Sequence, residues 1–330
     1  MAGTPRILVV DDEAGIRQQL RIGLTQRGFE VECAGEGVSA VERIQSARQG
    51  GTPHDYVVME LRLPDIDGRR LMEVVNTTYP EVGLIAISGF GSEYDADVID
   101  RLDGCVFLDK PFGMDDLVDA IRGLGPREGC EPLPPHRPAR SGVPVESAYV
   151  LASVSPRALP TTFESLLRAD GVCYCDAVCG DWDMVILVQG ADGTEIRRVI
   201  EDRIARCDGI QRSETLVLSR PTLSHPLASF IQSYERMRAA RCGKNGLPRR
   251  CLPLSAYALL TVDGQAIPSL YPRLYFNPNV VYCDVAAGGD RAVVLLQAST
   301  SEGLQRAVST IEKEAGVRQA TVLRVVEAQA

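Results

Sequence analysis

The stretch Asp55-Tyr56-Val57-Val58-Met59-Glu60-Leu61-Arg62-Leu63-Pro64-Asp65-Ile66-Asp67-Gly68 decides the fold of the amino-terminal part of the chain. Tyr56 to Met59 is a short unbroken apolar run, as expected of a strand covered on both faces. It ends on a carboxylate, Glu60, and passes into a turn rich in Asp, Pro and Gly. Working outward, the pattern recurs. Ile7 to Val10 is a buried strand, followed by a helix over Glu13 to Arg27 with Ile16, Leu20 and Leu24 on one stripe. Phe29 to Cys33 reads as a strand and Val38 to Ala47 as a helix. Leu84 to Ile87 and Cys105 to Leu108 are further strands, each followed by a helical stretch. Five strands alternating with five helices predict a doubly wound α/β domain with a five-stranded parallel sheet.

In such sheets the functional crevice lies beyond the carboxyl ends of the strands. Asp11 and Asp12 follow the first strand, Glu60 ends the third, Ser88 ends the fourth and Lys110 follows the fifth. Carboxylates suit a hard cation such as Mg²⁺, with Asp11, Asp12 and Glu60 as the candidate ligands; an ammonium and a hydroxyl suit a phosphoryl group. Solvated acids at loop ends are the plain alternative. Their joint placement after successive strands argues against it.

These segments resemble the response-regulator receiver family. Ile7-Leu8-Val9-Val10-Asp11-Asp12-Glu13 is similar to its first-strand signature, and Asp55 to Gly68 to its phosphorylation segment. Ile87-Ser88-Gly89-Phe90 and Asp109-Lys110-Pro111-Phe112 are similar to its hydroxyl and lysine segments. The resemblance implies a flavodoxin-like fold, phosphorelay signalling, a cis peptide before Pro111 and a switch aromatic at Phe107. It also implies an aspartate where Glu60 stands. Glutamate has the same charge and one more methylene, and a displacement of about 1 Å can cost on the order of 100-fold in rate. Glu60 is therefore expected to prevent ordinary phosphorylation. Asp55, Asp65 and Asp67 are poor substitutes, one at the far end of the strand and two in the loop.

Residues 126–146 form a Pro-rich linker. Beyond it the chain repeats. Ser147-Ala148-Tyr149-Val150-Leu151 returns as Ser255-Ala256-Tyr257-Ala258-Leu259, and Tyr174-Cys175-Asp176 as Tyr282-Cys283-Asp284, each 108 residues later. Gly209-Ile210 returns as Gly316-Val317, with one residue dropped. Each copy, 147–220 and 255–330, reads as a βαββαβ ferredoxin-like plait. Helices cover one face of such a sheet, so the other needs a partner, which could be the second copy. The first copy resembles the Lrp/AsnC effector-binding domain through Gly171-Val172, Cys175 to Asp183 and Ile210 to Leu218; the second resembles it less closely. The resemblance implies a small ligand, such as an amino acid, near Gly180, Asp181 and Asp183, although hairpin turns favour Gly and Asp on their own account. Pro268 and Pro272 are expected to disturb the first helix of the second copy.

Between the copies, 221–254 reads as a basic linker with a helix over Ala228 to Ala240, and 236–250 carries Arg236, Arg238, Arg241, Lys244, Arg249 and Arg250. The net charge of −9 gives no general attraction to nucleic acid or anionic lipid, so that basic run is the candidate DNA contact. The ten cysteines read as reduced, buried thiols, and the spacing of Cys173, Cys175 and Cys179 lacks the pairing of a metal site. The start reads as a strand and not a signal peptide, and no apolar run is long enough to span a bilayer. The expectation is a cytoplasmic, non-enzymatic regulator, with an atypical receiver that docks signalling partners and tandem plaits that bind a small ligand or assemble as a homo-oligomer or internal pseudo-dimer. Two alternatives stay open: a transcriptional regulator contacting DNA through 236–250 or a partner, and an ordinary phosphorelay regulator with residual Mg²⁺ binding.

Overall fold

The computed structural model describes residues 4–89, 102, 104–125, 146–241 and 254–326, without the side chains of 236–241. The chain divides into two compact units. In the first, β1 (Arg6–Val10), β2 (Glu30–Ala34), β3 (Tyr56–Glu60), β4 (Gly83–Ser88) and β5 (Cys105–Asp109) form a parallel sheet in the order β2-β1-β3-β4-β5. The helices are α1 (Ala14–Thr25), α2 (Gly37–Gln49), α3 (Gly68–Thr78) and α4 (Met114–Leu124). Ile7, Val9, Tyr56 and Val58 alternate onto one face and pack with Leu20, Leu24, Leu117 and Ile121. Leu8, Val10, Val57 and Met59 are equally buried on the other. The helix predicted between Ser88 and Cys105 lies outside the described residues, as do nearly all of the Pro-rich linker and residues 242–250 of the basic run.

The helix expected between the plaits is present, and it does more than link them. A helix over His225–Arg241, α5 here, belongs to the same compact unit as the parallel sheet. Leu227, Phe230, Ile231 and Tyr234 follow the i, i+3, i+4, i+7 spacing of an amphipathic helix and are all buried. The Phe230 ring lies 5.9 Å from that of Tyr79 at the end of α3, and the Arg70 guanidinium lies 5.4 Å from the Tyr234 ring. Gln45 of α2 donates to Ser229 Oγ at 2.9 Å, and Ser224 Oγ donates to Glu42 at 2.6 Å. The chain thus carries its own cover for the α2–α3 side of the sheet.

The second unit contains both plaits. The first comprises β6 (Glu146–Val154), α6 (Leu159–Leu167), β7 (Val172–Cys179), β8 (Met184–Gly190), α7 (Gly193–Val199) and β9 (Ile210–Ser219). The second comprises β10 (Leu254–Val262), α8 (Ile267–Tyr275), β11 (Val280–Ala286), β12 (Arg291–Ala298), α9 (Ser301–Glu312) and β13 (Val317–Val325). Their edges pair with each other, closing an eight-stranded barrel. Ala286 pairs with Leu218, and Val178 with Val325, so corresponding positions of the two copies make both seams. Inside, the Tyr149 hydroxyl donates to Asp284 at 2.9 Å, and the Tyr257 hydroxyl donates to Asp176. Each tyrosine therefore reaches the aspartate of the other copy. Around them Leu151, Val185, Leu187, Leu259, Val293, Leu295 and Leu323 form an apolar core shared by both sheets. The face that each plait leaves open is buried by the other.

Two local departures have physical causes. Pro268 and Pro272 do not abolish the first helix of the second copy. Pro268 falls in the first turn of α8, where its missing N–H has no helical partner, and Pro272 sits inside the helix, buried. In the first copy α7 runs into a π-helical turn, Ile200–Ile204, where Ala205 N–H bonds back to Ile200 O at 2.8 Å. Asp192 to Gly209 is one residue longer than Thr300 to Gly316, and the wider turn absorbs the extra residue.

Phe230→Ala removes a fully buried ring and should lower the stability of the first unit by about 3–5 kcal/mol, read from the urea midpoint by circular dichroism. An unchanged midpoint would mean that α5 does not serve as part of this fold.

Candidate functional site: an acidic crevice bridged by lysine

The chain turns that end β1, β3, β4 and β5 bring Asp11, Glu60, Ser88 and Lys110 to one end of the sheet. Asp11 is 1% exposed and Glu60 7%. Two such carboxylates on adjacent strands would repel strongly in a desolvated setting. Lys110 prevents this: its Nζ lies 2.6 Å from Glu60 Oε2 and 2.9 Å from Asp11 Oδ2. The remaining oxygens are also engaged. Glu13 N–H donates to Asp11 Oδ1 at 2.8 Å, and Arg62 N–H to Glu60 Oε1 at 3.1 Å. Arg17, which sequence reasoning did not single out, donates to the Asp11 carbonyl at 2.5 Å. Burial pulls the Lys110 pKa down, but hydrogen bonds and charge from Glu60 and Asp11 outweigh it and hold the ammonium above the ordinary lysine value.

Local backbone fixes this geometry. The Lys110–Pro111 peptide is cis, and Lys110 N–H donates to Ser88 O at 2.8 Å. Gly68 starts α3 directly behind the acceptor position. A Cβ there would lie 2.7 Å from Leu61 O and 2.8 Å from Glu60 O, so only glycine permits the approach. The neighbouring aspartates have structural roles. Asp55 accepts from Arg6 N–H, Asp65 from Gly37 and Val38 N–H at the start of α2, and Asp67 caps α3 through Arg70 N–H. Ser88 is fully buried, with its hydroxyl 3.5 Å from Gly89 O; Phe107 is half-buried on β5; Asp12 is exposed.

Among the described residues no group of three acidic, His or Cys side chains is drawn together as metal ligands. Asp11 and Glu60 are hard oxygen donors, but both are bonded to an internal cation. Mg²⁺ would have to displace the ammonium, so the residues present fit the ion poorly in this arrangement.

In the first plait, the Gly180 to Asp183 turn lies where β7 meets β13. Gly180 has φ +152°, and a Cβ there would come 2.7 Å from Leu323 Cδ2. One Asp183 carboxylate oxygen accepts from Ser153 Oγ at 3.1 Å and Val154 N–H at 2.8 Å, so this side chain is committed to holding the turn. Arg212 donates to Asp181 O at 2.8 Å and stacks on Trp182 at 4.2 Å. The three neighbouring cysteines are free thiols in differing surroundings, with burial pushing Cys175 up to about 12. The Tyr–Asp seam residues were missed as functional elements, although their identical recurrence 108 residues apart was visible.

Residues 7–122 match the family model of the response regulator receiver domain. The first unit contains a response regulator receiver domain. Residues 147–227 match the Lrp/AsnC ligand binding domain. The transcriptional regulatory protein AruR of Pseudomonas aeruginosa is 38% identical over 128 residues, which is 39% of this chain and 47% of that protein. The photosynthetic apparatus regulatory protein RegA of Rhodovulum sulfidophilum is 31% identical over 131 residues, 40% of this chain and 66% of that one. The chain thus spans about half to two thirds of the length of these relatives. A solved receiver protein from Sinorhizobium medicae is 28% identical, covers 37% of this chain and 94% of its own, and superposes with a TM-score of 0.33. No helix among the described residues is long and apolar enough to cross a membrane.

Lys110→Met leaves two buried carboxylates without their shared cation and should cost about 3–5 kcal/mol. The loss should be partly reversed by Mg²⁺, which would then meet free oxygens, and a thermal melt with and without the ion checks both effects. Because the folded Lys110 pKa is raised, its stabilisation is complete below about pH 10 and disappears only as pH rises through the folded value. The wild-type melting temperature should therefore show no step from this group near neutrality.

Proposed function

We propose that the receiver domain is a signalling module held in one state by its own charges and not switched by phosphorylation. The observation that carries this reading is the Lys110 ammonium placed between Glu60 and Asp11 at 2.6 and 2.9 Å. A lysine that would otherwise contact an incoming phosphoryl group is already neutralised. Glu60 supplies one charge and two oxygens, against two charges and three terminal oxygens in an acyl phosphate, so it imitates that state only in part. At an effective dielectric of ~20 and a separation of ~4 Å, one such ion pair gains about 4 kcal/mol before the cost of desolvation. Asp12 and residual Mg²⁺ are not needed for it.

In this reading signalling partners dock on β5, α4 and the helix predicted before β5, the side that carries Phe107. The tandem plaits supply the variable input or an assembly function, the second being an Lrp/AsnC-like copy fused to the first. AruR is a transcriptional regulatory protein, but the similarity covers only the receiver part and includes no DNA-contacting segment of this chain.

Incubation with acetyl phosphate and Mg²⁺, followed by intact-mass analysis, tests the reading. The wild type should gain no phosphoryl mass, and Glu60→Asp should gain it. A covalent phosphate mapped to Glu60 would overturn the reading. Failure of Glu60→Asp to label would mean that the pocket is altered beyond its acceptor.

A further inference from the structure

The two plaits share one architecture, and one difference on their outer, helical side opens a space. In the second copy Arg273 Nε donates to Glu314 at 2.9 Å, and its other arm donates to Ala315 O at 2.7 Å, tying α8 to the end of α9. The corresponding positions in the first copy are Ser165, 108 residues before Arg273, and Cys207, which precedes Gly209 as Glu314 precedes Gly316. A hydroxyl and a thiol replace a guanidinium and a carboxylate. The first copy also has its π turn here, one residue wider than the α-helix opposite. The result is an open surface cleft of about 530 Å³ between α6 and the π turn, with mostly exposed lining residues.

Its lining carries Arg168, Arg203 and Arg206, with Asp202 and Asp208 on the acidic side. Arg206 pairs with Asp202 at 2.9 Å, an exposed contact of little strength. Arg168 and Arg203 are exposed residues of the cleft lining and make no ion pair among the described residues. The Thr161 and Thr162 hydroxyls already donate to Ala158 O and Asp208 O. Cys207 donates to Arg203 O at 2.9 Å. The uncommitted donors are therefore the planar guanidinium forks, which suit oxyanions and phosphates in particular. The volume exceeds what a single phosphate fills, and the two arginines without an ion pair offer two separate forks to a pair of linked phosphates. π turns occur often at functional sites.

We propose that this cleft binds a small diphosphate-bearing molecule, held by Arg168, Arg203 and Arg206. The site is separate from the Gly180–Asp183 turn and independent of the state of the receiver. The second copy cannot bind such a ligand, because its Arg273–Glu314 pair occupies the place.

Calorimetric and thermal-shift titrations of the full chain with pyrophosphate and ADP, against potassium chloride at matched ionic strength, test this. Both probes should bind and raise the melting temperature, and chloride should not. Arg203→Ala should weaken binding about tenfold or more, and Arg168→Ala should do likewise. Ser165→Arg combined with Cys207→Glu rebuilds the bridge of the second copy and should abolish binding while leaving the fold intact by circular dichroism. Absence of binding up to about 10 mM would overturn the proposal. So would affinity unchanged in all three variants, or attachment only to vesicles of anionic lipid with no response to ADP.

Discussion

Two carboxylates buried side by side at the ends of neighbouring strands repel each other unless a cation stands between them, and a low-dielectric surrounding sharpens that demand. In the receiver the cation comes from the protein itself. The strand order puts β1 beside β3 and β5 two places further on, and Lys110 spans the gap with its long side chain. The backbone bond to Ser88 and the close approach permitted by Gly68 set where that ammonium and its glutamate partner can be. Aspartate in place of Glu60 would be shorter by one methylene, whereas the glutamate carboxylate meets the ammonium directly at 2.6 Å.

The plaits obey a different constraint. A sheet with helices on one side must bury the other, and here each copy solves the problem for its twin. Reciprocal Tyr149–Asp284 and Tyr257–Asp176 hydrogen bonds keep the polar groups of the shared interior satisfied, and two equivalent seams close the ring of strands. On the outside, where no such reciprocity is required, the copies have diverged. One carries an ion pair and an unbroken α-helix, the other small side chains, a π turn and two arginines, Arg168 and Arg203, without an ion pair among the described residues.

Much of this was legible in the sequence because it is written in local patterns. Apolar runs ending on Asp11, Glu60, Ser88 and Lys110 place the crevice without any knowledge of distances, and the 108-residue recurrence reveals the duplication. Distances were not legible. No spacing rule says that Lys110 reaches Asp11 as well as Glu60, because that depends on which strands lie side by side. The docking of α5 was missed for a different reason. The stripe Leu227, Phe230, Ile231 and Tyr234 is present in the sequence, but an apolar stripe does not say which distant surface it meets. Proline propensity misjudged α8, where the first-turn position of Pro268 removes most of its cost and burial stabilises the rest. The single dropped residue was seen, but its expression as a wider helical turn needs the backbone hydrogen bond from Ala205 to Ile200 to be known.

Closure of the barrel within one polypeptide has a further consequence. Two separate subunits meeting through the same seams would dissociate on dilution, and their pairing would track cellular abundance. Tethered copies meet at an effective concentration set by the connecting chain, in the millimolar range for short tethers, whatever the number of molecules present. Assembly of this unit is thereby removed from control by expression level. A substitution in one half is also no longer mirrored in the other, so either half can acquire a property that a symmetric pair would have to display twice.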